Sequence, residues 1–177
     1  MIIRSFKGKT PQIGSDCFVA ENAAIVGDVV IGNECSIWYG AAIRGDENSI
    51  EVGDRVSVQE CAVLHVSEGE GGALKIGSDV IIGHNATVHA CTVGNHVLIG
   101  MGSTVLDGAV VSDGSIVAAG ALVLGRTVIG PGELWAGVPA KLVKTIAPEG
   151  IERNINRGVA TYVELAKEYL KAQDEAL

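Results

Sequence analysis

The fold class that the sequence predicts is an all-β solenoid of stacked coils followed by one amphipathic helix, and three observations predict it. The first is a six-residue beat: aliphatic residues recur at Ile13, Val19, Ile25, Ile31, Ile37 and Ile43, then again at Val93, Ile99, Val105, Val111, Val117, Val123 and Ile129. A short fixed repeat of this kind marks a chain whose units bury their apolar side only against their neighbours. The second is composition. Hydrophobic residues make up 47% of the chain but aromatic ones only 4%, and there are 24 glycines, which suits a narrow Ile/Val/Ala core with many tight corners. The third is a change to helical spacing after Pro148. At 177 residues the chain is long enough for one core, so a single compact unit is expected, with coils over residues 1–140 and a linker and helix over 141–177.

Taken in order, the beat holds from Ile13 to Ile43, stretches to nine residues before Val52, and resumes through Val58 and Leu64. It then takes twelve residues to reach Ile76, passes Ile82 and Val88, shortens to five before Val93, and runs evenly to Trp135. The three interruptions, Gly45–Ser49, Val66–Lys75 and Ala90–Thr92, are read as loops leaving the coil, and functional residues are expected beside them. Three hexapeptides make one triangular coil, so about seven coils result, a prism about 33 Å long at one strand spacing per coil. The segment Ala136–Lys141, with its proline, ends the solenoid. Beyond it Ile151, Ile155, Val159, Tyr162, Val163, Ala166 and Leu170 form an apolar helical stripe, weakened at Gly158. That stripe needs a surface, either a face of its own prism or of a neighbouring one, or the open top coil.

A net charge of −8 argues against a nucleic-acid partner, because phosphate neutralisation needs clustered Lys and Arg. No basic, apolar leader opens the chain and no apolar run approaches about 18 residues, so a cytoplasmic protein with no membrane partner is expected. Cys17, Cys35, Cys61 and Cys91 form no CxxC pair. Cys17 and Cys35, 18 residues apart, read as small core fillers stacked on one another.

Three of the four histidines fall close together. His65 and His89 each follow the aliphatic that opens a strand on the same face, one coil apart, so both point outward about 4.8 Å from each other and can converge on one metal ion. His84 lies on a different face, so within one chain it points elsewhere, and a third ligand from a second chain would complete the site; in a trimer His84 of one subunit can meet His65 and His89 of the next, leaving one coordination position open. The competing reading is of solvated histidines on a repeat surface. His96 has no partner in the register and reads as a turn residue. Arg44 lies directly beneath His65 and pairs with a carboxylate such as Asp46, in its own chain or across an interface. Gln59, on the preceding strand, is placed to hydrogen-bond an oxygen at such a metal.

The run Ile43-Arg44-Gly45-Asp46, then Gln59 six residues before His65, then Ile82-Gly83-His84-Asn85-Ala86-Thr87-Val88-His89 resembles the γ-class carbonic anhydrases and their bacterial relatives, over nearly the whole chain. The resemblance implies a left-handed parallel β-helix, a homotrimer, and zinc (Zn2+) at each subunit interface bound by His65 and His89 of one chain and His84 of the next. Fe2+ or Co2+ is an alternative, since three imidazoles accept several divalent metals. It also implies an Arg44–Asp46 pair bridging subunits, Gln59 at the metal's water, Glu68 or Glu47 as the proton shuttle, and Tyr162 near the metal. The implied activity is that of a lyase, reversible hydration of CO2 to bicarbonate by metal-bound hydroxide. Ser57 departs from the archaeal type enzyme, which has asparagine there. Two rivals stand beside this reading: a CoA-dependent acyltransferase on the same scaffold, for which Arg126 and Lys141 are the available cations, and a metal-binding trimer with a weak thioesterase or scaffold role.

Overall fold

The computed structural model describes residues 1–175. It is a parallel β-solenoid of about seven coils carrying one C-terminal helical segment. Most strands have two or three residues and stack in three columns, and the column bearing Phe18–Val19, Ser36–Ile37, Ser57–Val58, Ile81–Ile82, Leu98–Ile99, Ile116–Val117 and Glu133–Ala136 forms a sheet of its own in which these seven strands pair in parallel. The other two columns are joined through the strand Ala42–Val52, whose first residues pair with Val63–His65 and whose last pair with Leu74–Ile76. The six-residue beat is the core: Ile25, Ile37, Ile43, Val58, Leu64, Ile82, Val88 and Ile99 are all fully buried. Ile13 and Trp135, at the ends of the stack, are only partly covered because each lacks a neighbouring coil on one side. Cys35 and Cys91 are buried among these aliphatics, and burial pushes the Cys91 thiol up to about 12.

Of the three expected loops, one leaves the solenoid. Residues 66–73 project as a loop closed by the Ser67 N–H donating to the Gly72 carbonyl at 2.9 Å. Gly45–Ser49 instead stays inside the strand Ala42–Val52 as a bulge: Gly27 pairs with Gly45 and Val29 with Ile50, so Asp28 alone faces four residues. Polar residues that break the beat suit a bulge as well as a loop, because both lift side chains out of the ladder. The five-residue step at Ala90–Thr92 is a tight corner with Ala90 at φ 42°, and Thr92 already begins the next strand.

Past Ala136 the chain turns through the cis Val138–Pro139 bond, and Lys141–Thr145 returns as an antiparallel strand on Glu133–Ala136. Residues expected as linker thus cover the sheet edge left by the last coil. Helix follows over Pro148–Ile151, a π-helical stretch over Glu152–Asn156, and α-helix over Arg157–Glu175. The helix lies along a face of its own prism. Ile155, Val159 and Ala166 are buried, and Tyr162 and Tyr169 meet Trp38 edge to face with ring centroids 6.0 and 5.2 Å away. Gly158, which weakens the helix on propensity alone, sits where a Cβ would come within 2.8 Å of Ile81 Cδ1, so it lets the helix approach the sheet. No helix among the described residues is long and apolar enough to cross a membrane.

Candidate metal centre

Arg44, His65 and His89 occupy the same position on three successive rungs, paired Arg44 to His65 and His65 to His89. Because alternate residues of a strand point to opposite sides, burying Ile43, Leu64 and Val88 turns all three following side chains outward. The two imidazoles are tilted by 55° with centroids 5.0 Å apart, and His65 Nδ1 faces His89 Nε2 at 2.9 Å. Their other nitrogens are held by carboxylates: His65 Nε2–H donates to Asp46 Oδ1 at 3.2 Å and His89 Nδ1–H to Asp107 Oδ1 at 2.7 Å. Arg44 Nη1 donates to Asp46 Oδ2 at 2.5 Å within its own chain. Burial pushes the Asp46 carboxyl upward, but the hydrogen bonds from Arg44 and His65 outweigh it and hold the group below its ordinary value. The Ser67 hydroxyl, followed by the opposing effect of burial and the bond from His89, leaves Asp107 below its ordinary value as well.

This arrangement tests whether the residues suit a metal. Ionised carboxylates only accept, so the nitrogens facing Asp46 and Asp107 carry the ring protons, and in neutral rings the facing nitrogens both present lone pairs. Two lone pairs meeting at 2.9 Å repel unless a proton or a cation lies between them. Zinc–nitrogen bonds of about 2.0–2.1 Å at a tetrahedral angle set ligating nitrogens about 3.3 Å apart, so a small ring rotation accommodates one. The pair fits a divalent cation, and holding imidazoles through their far N–H to carboxylates is how proteins orient such ligands.

The remaining residues fall into two further groups. On the helix-bearing face His84 stands over Glu60, to which its Nδ1–H donates at 2.5 Å, and its backbone N–H donates to Gln59 Oε1 at 3.2 Å. Gln59 is buried and, with His84, Tyr162, Leu98 and Met101, lines a groove of about 340 Å³ between sheet and helix. Burial, with the Glu60 carboxylate behind it, raises the Tyr162 hydroxyl. Glu47 and Glu68 are exposed, on the bulge and on the loop, and Asn48 draws those two segments together by donating from Nδ2 to the Ser67 and Gly69 carbonyls at 3.2 and 2.8 Å. His96 sits at a corner with φ 52° and meets Asn156 Oδ1 of the helix at 3.0 Å. Within one chain, among the described residues, no three His, Cys, Asp or Glu side chains converge on a point. Glu60, Asp107 and Asn48 were not singled out in the sequence; the first lies 24 residues before His84, the separation that also relates His65 to His89.

Residues 10–45 and 73–107 match the family described as bacterial transferase hexapeptide (six repeats). The chain is 42% identical over 163 residues to a mitochondrial gamma carbonic anhydrase 2 of Arabidopsis thaliana, a match that takes in 90% of this chain and 58% of the plant protein. The chain thus spans less than two thirds of that relative's length. It is 41% identical over 174 residues to a carbonic anhydrase of Geobacillus kaustophilus, covering 98% of this chain and 94% of the other. A crystal structure of a hexapeptide transferase family protein from Anaplasma phagocytophilum superposes with a TM-score of 0.89 at 41% identity, over 95% of this chain and 98% of that one.

Proposed function

Since this chain belongs to the γ carbonic anhydrase family of hexapeptide-repeat proteins, we propose that it interconverts CO2 and bicarbonate at a divalent metal shared between the subunits of a homotrimer. The observation that carries the reading is the meeting of His65 Nδ1 and His89 Nε2 at 2.9 Å with both far nitrogens tied to carboxylates. These two imidazoles would hold the ion with His84 of the partner subunit, because among the described residues no third His, Cys, Asp or Glu side chain of the same chain converges with them on one point. Zinc, ferrous iron and cobalt all accept three imidazoles. The bound cation supplies Lewis acidity that makes water a nucleophile near neutral pH.

The chain's own residues supply the rest. Gln59 has its Oε1 engaged by the His84 N–H, so its amide N–H2 is the end that can donate into the groove and orient an oxygen there. Hydration consumes CO2 and water and yields bicarbonate and one proton, which must reach bulk solvent. Glu68 and Glu47 are exposed and drawn together by Asn48, which suits carboxylates that accept that proton and release it to water. Tyr162 closes the helix side of the groove. Arg44 fixes Asp46 against His65 and offers its free donors to a neighbouring subunit. Four free cysteines suit a reducing compartment, so a cytoplasmic setting is part of the proposal.

Stopped-flow CO2 hydration on metal-replete protein tests this reading. Wild type is expected to exceed the buffer rate, His89→Ala to lose both metal and rate, and Glu68→Ala to lose about 10²-fold, recoverable with added imidazole buffer. Full metal loading with no rate above buffer would remove it. Acyl transfer is the second reading, favoured by the 41% identity to the hexapeptide transferase family protein. Acetyl-CoA turnover by metal-free protein would select it.

A further inference from the structure

Every histidine of the proposed centre has one ring nitrogen held by a carboxylate from another rung, and two of those carboxylates, Asp107 and Glu60, lie outside the run of residues that carries the family resemblance. We propose that Asp107 and Glu60 are positioning residues that fix which nitrogen of His89 and of His84 faces the metal. The inference rests on the metal-centre reading above and extends it to the groups behind the ligands.

The geometry suits the role. Asp107 uses its oxygens for different partners: Oδ1 accepts the His89 Nδ1–H at 2.7 Å, while Oδ2 accepts the Ser67 hydroxyl at 2.5 Å. Tethered twice, the carboxylate is not free to swing away from the ring. Glu60 accepts the His84 Nδ1–H at 2.5 Å, and the adjacent Gln59 holds the His84 backbone N–H, so ring and main chain are both fixed. An acceptor-only carboxylate against Nδ1 selects the tautomer with its proton there and its lone pair on Nε2. Asp46 does the same to His65 with the nitrogens exchanged. The result is a lone pair on His65 Nδ1, on His89 Nε2 and on His84 Nε2, one per ring. As ion pairs these contacts would count for little, since Asp107 is 53% exposed and Glu60 41%. Their worth lies in choosing the tautomer and aiming the ring.

Zinc affinity, measured on the full chain by competition with a chromophoric chelator, tests the inference for wild type, His89→Ala, Asp107→Ala, Asp107→Asn, Glu60→Gln and Ser67→Ala. Each variant is first checked for wild-type melting and assembly size. The Asp107 and Glu60 variants are expected to bind zinc about 10- to 100-fold more weakly, and Ser67→Ala to fall between them and wild type. Nitrogen-15 spectra of the histidine rings are expected to show His89 with its proton on Nδ1 in wild type and a mixture of tautomers in metal-free Asp107→Ala. Zinc binding lost in His89→Ala but unchanged within twofold in the Asp107 and Glu60 variants overturns this inference and leaves the metal centre standing. Wild type that binds no zinc overturns both. Should Asp107→Ala fail to fold, Asp107→Asn and Ser67→Ala carry the same decision.

Discussion

Arg55 and Asp79 meet fork to fork one rung apart, Nε to Oδ1 at 2.7 Å and Nη2 to Oδ2 at 2.8 Å. The guanidinium's hydrogen bonds outweigh burial and hold the Asp79 carboxyl below its ordinary value of 3.8. A carboxyl depressed in the folded state contributes its full stability above the unfolded value and loses it as the pH falls through the folded one. Asp79→Asn is therefore expected to cost about 1 kcal/mol at neutral pH, and the deficit to shrink as the pH drops below about 4. Urea unfolding at about pH 7 and about pH 3 measures it; a deficit equal at both would mean that charge is not its cause. The same arithmetic explains what was legible at this scale. His65 over Arg44 and His89 over His65 can be stepped off the repeat because each follows a buried aliphatic. The 24-residue step also sets Glu60 under His84 and Arg55 under Asp79, but neither carboxylate lies in a conspicuous motif. Asp107 is hidden for another reason: the short step before Val93 pairs Val88 with Val105, so Leu106 stands over His89 and the acid reaches in from one place further on.

Among the elements, one corner of the prism repeats a device coil after coil. Asn33, Asp54, Ser78, Asn95 and Asp113 each cap a backbone N–H of the coil before, as Ser78 Oγ does for the Asp54 N–H at 3.0 Å. The capping side chain occupies the space over the preceding coil's glycine: a Cβ on Gly53 would lie 2.7 Å from Ser78 Oγ and 2.7 Å from the Gly77 carbonyl carbon. Gly53→Ala is expected to cost about 1–3 kcal/mol, because backbone as well as side chain must give way. Denaturant unfolding checks this, and a loss below about 0.5 kcal/mol would show that the corner is loose. Periodicity revealed the coils because each aliphatic has a buried place. It could not reveal the strand Lys141–Thr145, whose five residues are all exposed and which is held by pairing to Glu133–Ala136. The bulge at Gly45–Ser49 was mistaken for a loop since composition alone does not separate the two.

For the whole molecule the decisive fact is that His65 and His89 stand on one face and His84 on another. On the proposed reading, His84→Ala and His89→Ala each abolish every metal site when made alone. Subunits of the two exchanged into mixed trimers are expected to regain one site of three, since one interface then joins an intact His65/His89 pair to an intact His84. Metal content and hydration rate after mixing measure it; no recovery in verified mixed trimers would place all the ligands within one chain. The helix adds something that a stack of coils lacks. It begins beside Gly114 and Ile116, where Ile151 packs, and in its last turns sets Tyr169 against Phe18 at 5.1 Å, near the first coil. A bare solenoid can fray from either end, each coil answering only to the next. Laced from late coils back to early ones, this one ties both ends of the stack to a single element, so its coils, those bearing the histidines among them, are expected to come undone together.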